Sequence, residues 1–429
     1  MAQPDRDGQA VRPIRDHARI LISSLAGTSI EYYDFFIYAT AAALLFGPLF
    51  FPAESAAAQT LLAFMSFGIA FIARPIGAIA FGHFGDRIGR KSTLVASLLL
   101  MGGCTLAIAF LPTYAQVGWI APALLCVMRF GQGFGLGGEW GGAALMAFEN
   151  APKGWEARYG AAPQLGVAVG FCAATGIFLV LGGLLSDADF LAWGWRIPFL
   201  ASALLVVLGL WIRLKIAETP EFRAAMETES PHPVPFAVLI ARHGGLVLAA
   251  SAGVVSTYAL FYLATAFALA EGTTAHGYGK ASFLAIQLFA NLFYAGGIVL
   301  AAIHSDRHSA ARTILLGSVA TMVLGLAFSP MLDAGSLWIA CILLCAAMLT
   351  LSFNNAPLGR WLSQLFPVRV RYSGVSFAFN AGGIVGGAIT PIIAQGLSAA
   401  GMTQYTGLLL TLAGAMTFAG VTLAKPGGD

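Results

Sequence analysis

Three charged residues sit where charge is costly. Glu31, Asp34 and Arg129 lie inside long apolar stretches. A charge at the centre of a membrane helix costs about 2.5–3.5 kcal/mol. Glu31 and Asp34 are three apart and share a helix face. Counted from the expected helix starts at about 1.5 Å per residue, Glu31 is about 16 Å deep, Asp34 about 21 Å and Arg129 about 18 Å. Two acids and one base at one depth can do proton chemistry. A carboxylate in apolar surroundings can cycle between charged and neutral. An arginine keeps its charge and can hold a carboxylate through two parallel hydrogen bonds. Two readings fit. In one, Glu31 or Asp34 takes a proton, Arg129 is released, and a substrate carboxylate replaces the acid as its partner. In the other, a fixed ion pair locks the two stretches together.

The other chemistry-bearing residues are neutral or peripheral. Glu139 follows Arg129 amid Gly137-Gly138 and Gly141-Gly142. It is either part of an inner gate with Arg74 or nearby loop arginines, or a plain interfacial carboxylate. The second half of the chain is expected to lack buried charge. Its candidates for substrate contact are Tyr258, Gln287, Asn291 and Tyr294, with Gln287 and Asn291 spaced i, i+4. Each could equally be an interhelical hydrogen bond. Charge in one half and neutral polar groups in the other suggest a substrate with one anionic end and a polar or cyclic body. Cys341 and Cys345 are also i, i+4, but no histidine or carboxylate accompanies them, so packing rather than a metal is expected. Gly131-x-Gly133-x-Gly135 lies inside an apolar stretch with no strand before it, which excludes a nucleotide loop. No clustered nucleophile or acid–base set points to an enzyme, and neither a cofactor nor nucleic acid is implied.

The elements that position these residues follow from composition. Of 429 residues 58% are hydrophobic and only 10% charged, and mean hydropathy is +0.79. Soluble proteins carry about 25% charge, so this is a polytopic, all-α membrane protein. Twelve spans are expected, near 20–48, 56–81, 92–112, 117–148, 159–185, 195–212, 244–270, 281–303, 313–332, 336–362, 374–399 and 403–424. Each approaches the 20 residues a bilayer crossing needs. With this count, lysine and arginine gather on one side. Arg74 and Arg360 fall near that side, and only Arg129 is deep in a span. The bias places both termini in the cytoplasm. The expected organisation is a disordered cytoplasmic tail at 1–19, a six-helix half at 20–212, a linker at 213–243, a second six-helix half at 244–424, and a tail at 425–429.

Between the second and third spans lies Gly82-His83-Phe84-Gly85-Asp86-Arg87-Ile88-Gly89-Arg90-Lys91. Read as a short basic loop, it is cytoplasmic. Its glycines permit a tight turn, and Asp86 can accept bonds from a helix N-terminus or an arginine. Gly82, Asp86, Arg87, Gly89, Arg90 and Lys91 are therefore expected to form a latch between rocking halves. Asp306-Arg307 after the eighth span echoes Asp86-Arg87. Arg371-Tyr372-Ser373-Gly374 echoes Arg158-Tyr159-Gly160. Asp306 and Arg371 thus join the latch, with the N-terminal copy expected to dominate because the second lacks the glycine and the basic pair.

The loop pattern Gly82-x-x-x-Asp86-Arg87-x-Gly89-Arg90-Lys91 resembles the signature of the major facilitator superfamily. Further segments narrow the resemblance to its metabolite:proton symporter family. They are Gly27-Thr28-Ser29-Ile30-Glu31-Tyr32-Tyr33-Asp34, Ala73-Arg74-Pro75-Ile76-Gly77, Arg129-Phe130-Gly131-Gln132-Gly133, Trp193-Gly194-Trp195-Arg196 and Phe366-Pro367-Val368-Arg369. The resemblance implies two six-helix halves, a central cavity lined by the first and fourth spans, and a role for Arg129 in proton coupling. It also implies uptake driven by protons across a bacterial inner membrane, without implying which substrate; with the charge pattern above, the expectation is a monomer that imports a small organic acid (mono- or dicarboxylate, shikimate-like). Import of a zwitterionic compatible solute and proton-coupled export of drugs or metabolites are the alternative readings.

Overall fold

The computed structural model describes residues 14–53, 55–88, 90–137, 139–149, 151–215, 235–367 and 370–425. Side chains of residues 14–20, 23, 82–94, 139, 143, 146, 212–215 and 235–238 lie outside that description. Every regular element among the described residues is helical. The first six spans are α1 (Ile14–Leu44), α2 (Ala56–Ile88), α3 (Arg90–Ile108), α4 (Ile120–Leu136 and Glu139–Glu149), α5 (Glu156–Leu184) and α6 (Arg196–Lys215). The second six are α7 (Pro235–Ala252, Val255–Tyr262 and on to Thr274), α8 (Lys280–Arg307), α9 (Ala310–Leu332), α10 (Leu337–Asn355 and Leu358–Leu365), α11 (Arg371–Gly383 and on to Ala399) and α12 (Thr406–Leu423). Among the described residues nine helices are long and apolar enough to cross a bilayer, or ten when the bent pair entering α6 counts as one span. Two further helices, α1 with its buried acids and α3 with its polar start, complete the twelve.

Several helices run past the expected span ends, because a helix persists into water once its carbonyls are paired internally. The stretch 82–91, expected as a loop, is mostly helix: α2 continues to Ile88 and α3 begins at Arg90. Helix also occupies 14–19 of the expected tail, and 213–215 and 235–243 of the expected linker. The rest of that tail and linker lies outside the described residues.

Helices α1–α6 pack among themselves through α1·α5, α2·α4, α3·α4 and α3·α6, and α7–α12 through α7·α11, α8·α10, α9·α10 and α9·α12. Two seams join the halves, α5·α8 and α2·α11. They are equivalent under a six-plus-six repeat, which exchanges the second with the eighth span and the fifth with the eleventh. The helices facing these seams are broken. α10 is interrupted at Pro357, while α7 and α11 each contain a π-helical turn, Leu263–Phe267 and Ile384–Ile389. Discontinuous helices at a repeat interface are where transporters gather binding groups.

The glycine run in α4 explains the closest crossing. A Cβ at Gly133 would overlap the main chain of Ala70, and one at Gly137 the main chain of Arg74. These two glycines, i and i+4, face α2. Gly131 and Gly135, also i and i+4, face Cys104 and Ser97 on α3. Small residues let helix backbones touch, and this contact brings Arg74 of α2 beside Arg129 of α4.

Candidate functional site

Asp34 and Arg129 are both buried, at 1% and 0% exposure. They do not form an ion pair with each other. Instead a short run of hydrogen bonds leads from Arg129 toward Asp34. Arg129 Nη1 donates to Gln132 Oε1 (3.1 Å). Gln132 Nε2 donates to Thr105 Oγ1 (2.7 Å). Thr105 Oγ1 donates to the Met101 carbonyl (2.9 Å) of its own helix and lies beside the Asp34 carboxylate, whose Oδ1 accepts from Ser202 Oγ at 2.5 Å. The first two bonds join α4 to α3, and the last joins α6 to α1. Asp34 Oδ2 has no hydrogen-bond partner, and neither do Nε and Nη2 of Arg129. Gln132 and Thr105 were not among the expected site residues. The i, i+3 spacing from Arg129 could have flagged Gln132; nothing in the sequence flags Thr105. Glu31 is buried one turn before Asp34.

Aromatic rings replace a counter-ion. The Arg129 guanidinium carbon lies 4.3 Å from the Phe35 ring centre, 4.1 Å from Tyr38 and 4.8 Å from Phe67. A desolvated cation over a ring gains about 2 kcal/mol, which offsets part of its burial.

Arg74 is not near a helix end as the sequence suggests. It is 2% exposed, and its guanidinium carbon lies 4.3 Å from Phe35 and 4.6 Å from Phe71. Its Nη1 donates to Tyr258 Oη on α7, in the other half, at 3.5 Å. Arg74 Nε and Nη2 are unpartnered.

The other residues proposed for substrate contact lie along the seams. Gln287 Nε2 donates to the Thr265 carbonyl (2.8 Å), a group in the π-helical turn of α7. Asn291 Nδ2 donates across the halves to the Ala168 carbonyl (2.9 Å) and to Cys172 Sγ (3.0 Å). Tyr294 accepts from Asn355, which also donates to Gln164 of α5 at 3.0 Å. The second half does hold a buried acid, contrary to expectation: Glu271, at 2% exposure, accepts from Ser398 Oγ at 2.5 Å. It falls one residue past the expected end of the seventh span, but α7 continues to Thr274.

The start of α1 and the end of α12 share one face with the α2–α3, α4–α5, α8–α9 and α10–α11 connections, as twelve crossings require. A charged cluster joins the halves at this face. The Asp306 carboxylate at the end of α8 accepts from the first main-chain amides of α5, Ala157 (2.8 Å) and Arg158 (3.2 Å). It also accepts from Arg158 Nε (2.8 Å) and Arg360 Nη1 (3.2 Å). Arg360 pairs more loosely with Glu156 (3.8 Å). The supposedly degraded copy of the motif is thus a complete helix cap and ion-pair cluster. Arg371 donates to the Phe366 carbonyl of its own half (3.2 Å). Side chains of Gly82, Asp86, Arg87, Gly89, Arg90, Lys91 and Glu139 lie outside the described residues. Deeper on the same side, Trp140 stacks on Phe379 (3.4 Å) and Asn380 donates to the Gly137 carbonyl (2.9 Å). Toward the opposite face, Phe36 stacks on Phe261 (4.9 Å) and Phe67 meets Tyr262 (5.1 Å). The halves therefore touch on both sides of the two arginines.

Comparison with known proteins accounts for this architecture. Residues 20–231 match the family described as sugar (and other) transporter. The chain is 40% identical to the inner membrane metabolite transport protein YhjE of Escherichia coli (strain K12), over 97% of this chain and 96% of that protein. It is 36% identical to the shikimate transporter of the same organism, over 88% and 87%. It is 26% identical to that organism's proline/betaine transporter, over 95% and 83%. The fold matches the proton:xylose symporter XylE with a TM-score of 0.74, 16% identity and 95% coverage of each chain. These relatives are membrane carriers, not enzymes, and the chain is accordingly a multi-pass inner-membrane secondary transporter of small molecules. It belongs to the major facilitator superfamily, in the family of bacterial metabolite transporters that includes the shikimate and proline/betaine carriers.

Proposed function

We propose that this transporter imports a small organic acid together with protons, with both termini in the cytoplasm. One observation carries the reading: a fully buried arginine with no acidic partner among the described residues is hydrogen-bonded through Gln132 to Thr105, which lies beside a buried aspartate. Asp34 is the proton carrier in this account. Its free Oδ2 offers a lone pair for the proton, and Glu31 is the second acid on the same helix. A proton on Asp34 changes the charge that Thr105 faces, and the chain transmits this to Arg129. Buried positive charge between the halves attracts an anion, and the named shikimate carrier among the relatives supports a carboxylate. The halves at 20–212 and 244–424 rock about the α5·α8 and α2·α11 seams. Gln287, Asn291 and Tyr294 supply neutral contacts there once their present partners are exchanged. The Asp306 cluster is the cytoplasmic latch, shared with the 82–91 segment and Glu139.

The test is uptake into proteoliposomes under an imposed proton gradient, inside alkaline. The panel is labelled mono-, di- and tricarboxylates, shikimate, proline and betaine. An organic acid should accumulate, and a protonophore should abolish the accumulation. Accumulation of betaine alone would select the zwitterion reading, which Glu31 beside Asp34 favours. Accumulation indifferent to the gradient would end the proton-coupled account.

A further inference from the structure

The two buried arginines are built alike but wired differently. Each stacks a face on Phe35 at 4.3 Å, so their guanidinium carbons are at most twice that distance apart. Each commits Nη1 to a neighbour, and each leaves Nε and Nη2 without a partner. Nε and Nη2 form one edge of the guanidinium, and that edge matches a carboxylate with two parallel bonds. Stacking on an aromatic ring uses the face of the guanidinium and leaves the edge available. The difference lies in Nη1. Arg129 spends it on Gln132 within its own half and is enclosed by Phe35, Tyr38 and Phe67 of α1 and α2. Arg74 spends it on Tyr258 across the seam. Tyr258 also lies 5.1 Å from Phe379, one half of the stacked pair with Trp140.

We propose that Arg74 receives the carboxylate of the transported acid, leaving Arg129 to relay the state of Asp34. This rests on the organic-acid reading. A carried molecule must touch both halves, and Arg74 is the arginine that already does. When the halves part, the bond to Tyr258 lengthens and the Arg74 edge opens to the cavity. Carboxylate binding then draws Tyr258, and with it α7, back toward the N-terminal half. Arg74 and Tyr258 thereby link occupancy to closure, while Arg129 stays within the proton relay.

The experiment measures equilibrium binding to the purified full-length protein in lipid nanodiscs, at several pH values. Probes are shikimate, succinate and 2-oxoglutarate, with the primary amides of shikimate and succinate as uncharged counterparts. At least one acid should bind wild type more tightly than its amide. Arg74→Gln should weaken that acid by about 10- to 100-fold, the worth of a charge-assisted pair of bonds, and bring acid and amide to similar affinity. Arg74→Lys keeps the charge without the edge and should fall between. Tyr258→Phe should cost a few-fold. Arg129→Gln should keep the preference for acid over amide but lose the pH dependence. If acids bind wild type and Arg74→Gln or Arg74→Lys retains full affinity and discrimination, the assignment to Arg74 is wrong. If no acid binds wild type, the organic-acid reading itself falls, and this assignment with it.

Discussion

Asp306→Asn offers the clearest perturbation of the latch. The carboxylate is 1% exposed and accepts from four donors at 2.8–3.2 Å, two on the α5 main chain and two on guanidiniums. Asparagine keeps the shape but turns one oxygen into a donor and removes the charge that two arginines and a helix N-terminus face. A hydrogen bond to a charged group is worth about 1.5–3 kcal/mol, yet Arg158 is 31% and Arg360 16% exposed, so water recovers part of the loss. A net cost of about 2–3 kcal/mol remains, and it falls entirely on the conformation closed at the terminal face. That shifts the closed–open equilibrium by about 30- to 150-fold. The assay is thiol modification from the cytoplasmic side in a variant lacking the native cysteines. A cysteine replacing Ser376, buried against Gly141 behind the latch, reports opening. Its modification rate should rise at least about 10-fold with Asp306→Asn. Glu156→Gln, which removes only the 3.8 Å pair, should change it by less than about 3-fold. An unchanged rate in correctly inserted Asp306→Asn protein would mean that this cluster does not hold the halves together.

Two further outcomes are expected. Gln132→Met removes the bridge between Arg129 and Thr105 while leaving Asp34 and Arg129 in place. Counterflow exchange should persist and gradient-driven accumulation should fall by about 10-fold or more, whereas normal accumulation would show that the hydrogen-bond chain is not the coupling path. Gly133→Val places a branched side chain against the Ala70 main chain, and overpacking a tight crossing costs about 1–3 kcal/mol or more. A drop of several degrees in the unfolding midpoint should follow, and an unaltered midpoint would refute the close α2·α4 contact.

Much of this arrangement could be read from residue order. Membrane physics makes Glu31, Asp34 and Arg129 conspicuous, because apolar neighbours leave charge nowhere else to hide. The charge bias of the connections likewise implied an even number of spans. Span ends were less legible. The helix that carries Arg74 runs on to Ile88, beyond the apolar stretch that ends at Phe81, and Arg74 is buried among aromatic rings instead of standing at a gate. Ending the seventh at 270 left Glu271 out of the membrane half altogether. Side-chain wiring was the least legible. Asp34 and Arg129 share a depth, but whether they touch or speak through Gln132 and Thr105 depends on how α3 and α4 cross. The Gln287 amide reads as a ligand group, yet it donates to the Thr265 carbonyl in the π-helical turn at Leu263–Phe267. Asp306 was found through its echo of Asp86. Its partners, the α5 N-terminus and Arg360, belong to other stretches of chain and are not legible from its own neighbours.

The central claim is that Asp34 carries the proton whose movement drives uptake. The most direct measurement compares two modes of transport in proteoliposomes bearing Asp34→Asn. One is uphill accumulation of the best acid under an inside-alkaline gradient. The other is counterflow exchange of the same acid with no gradient. The account predicts that accumulation is lost while exchange continues at a rate within several-fold of wild type. Accumulation by Asp34→Asn to the wild-type level would contradict it and move the proton to another acid, with Glu31 and Glu271 the buried ones to examine.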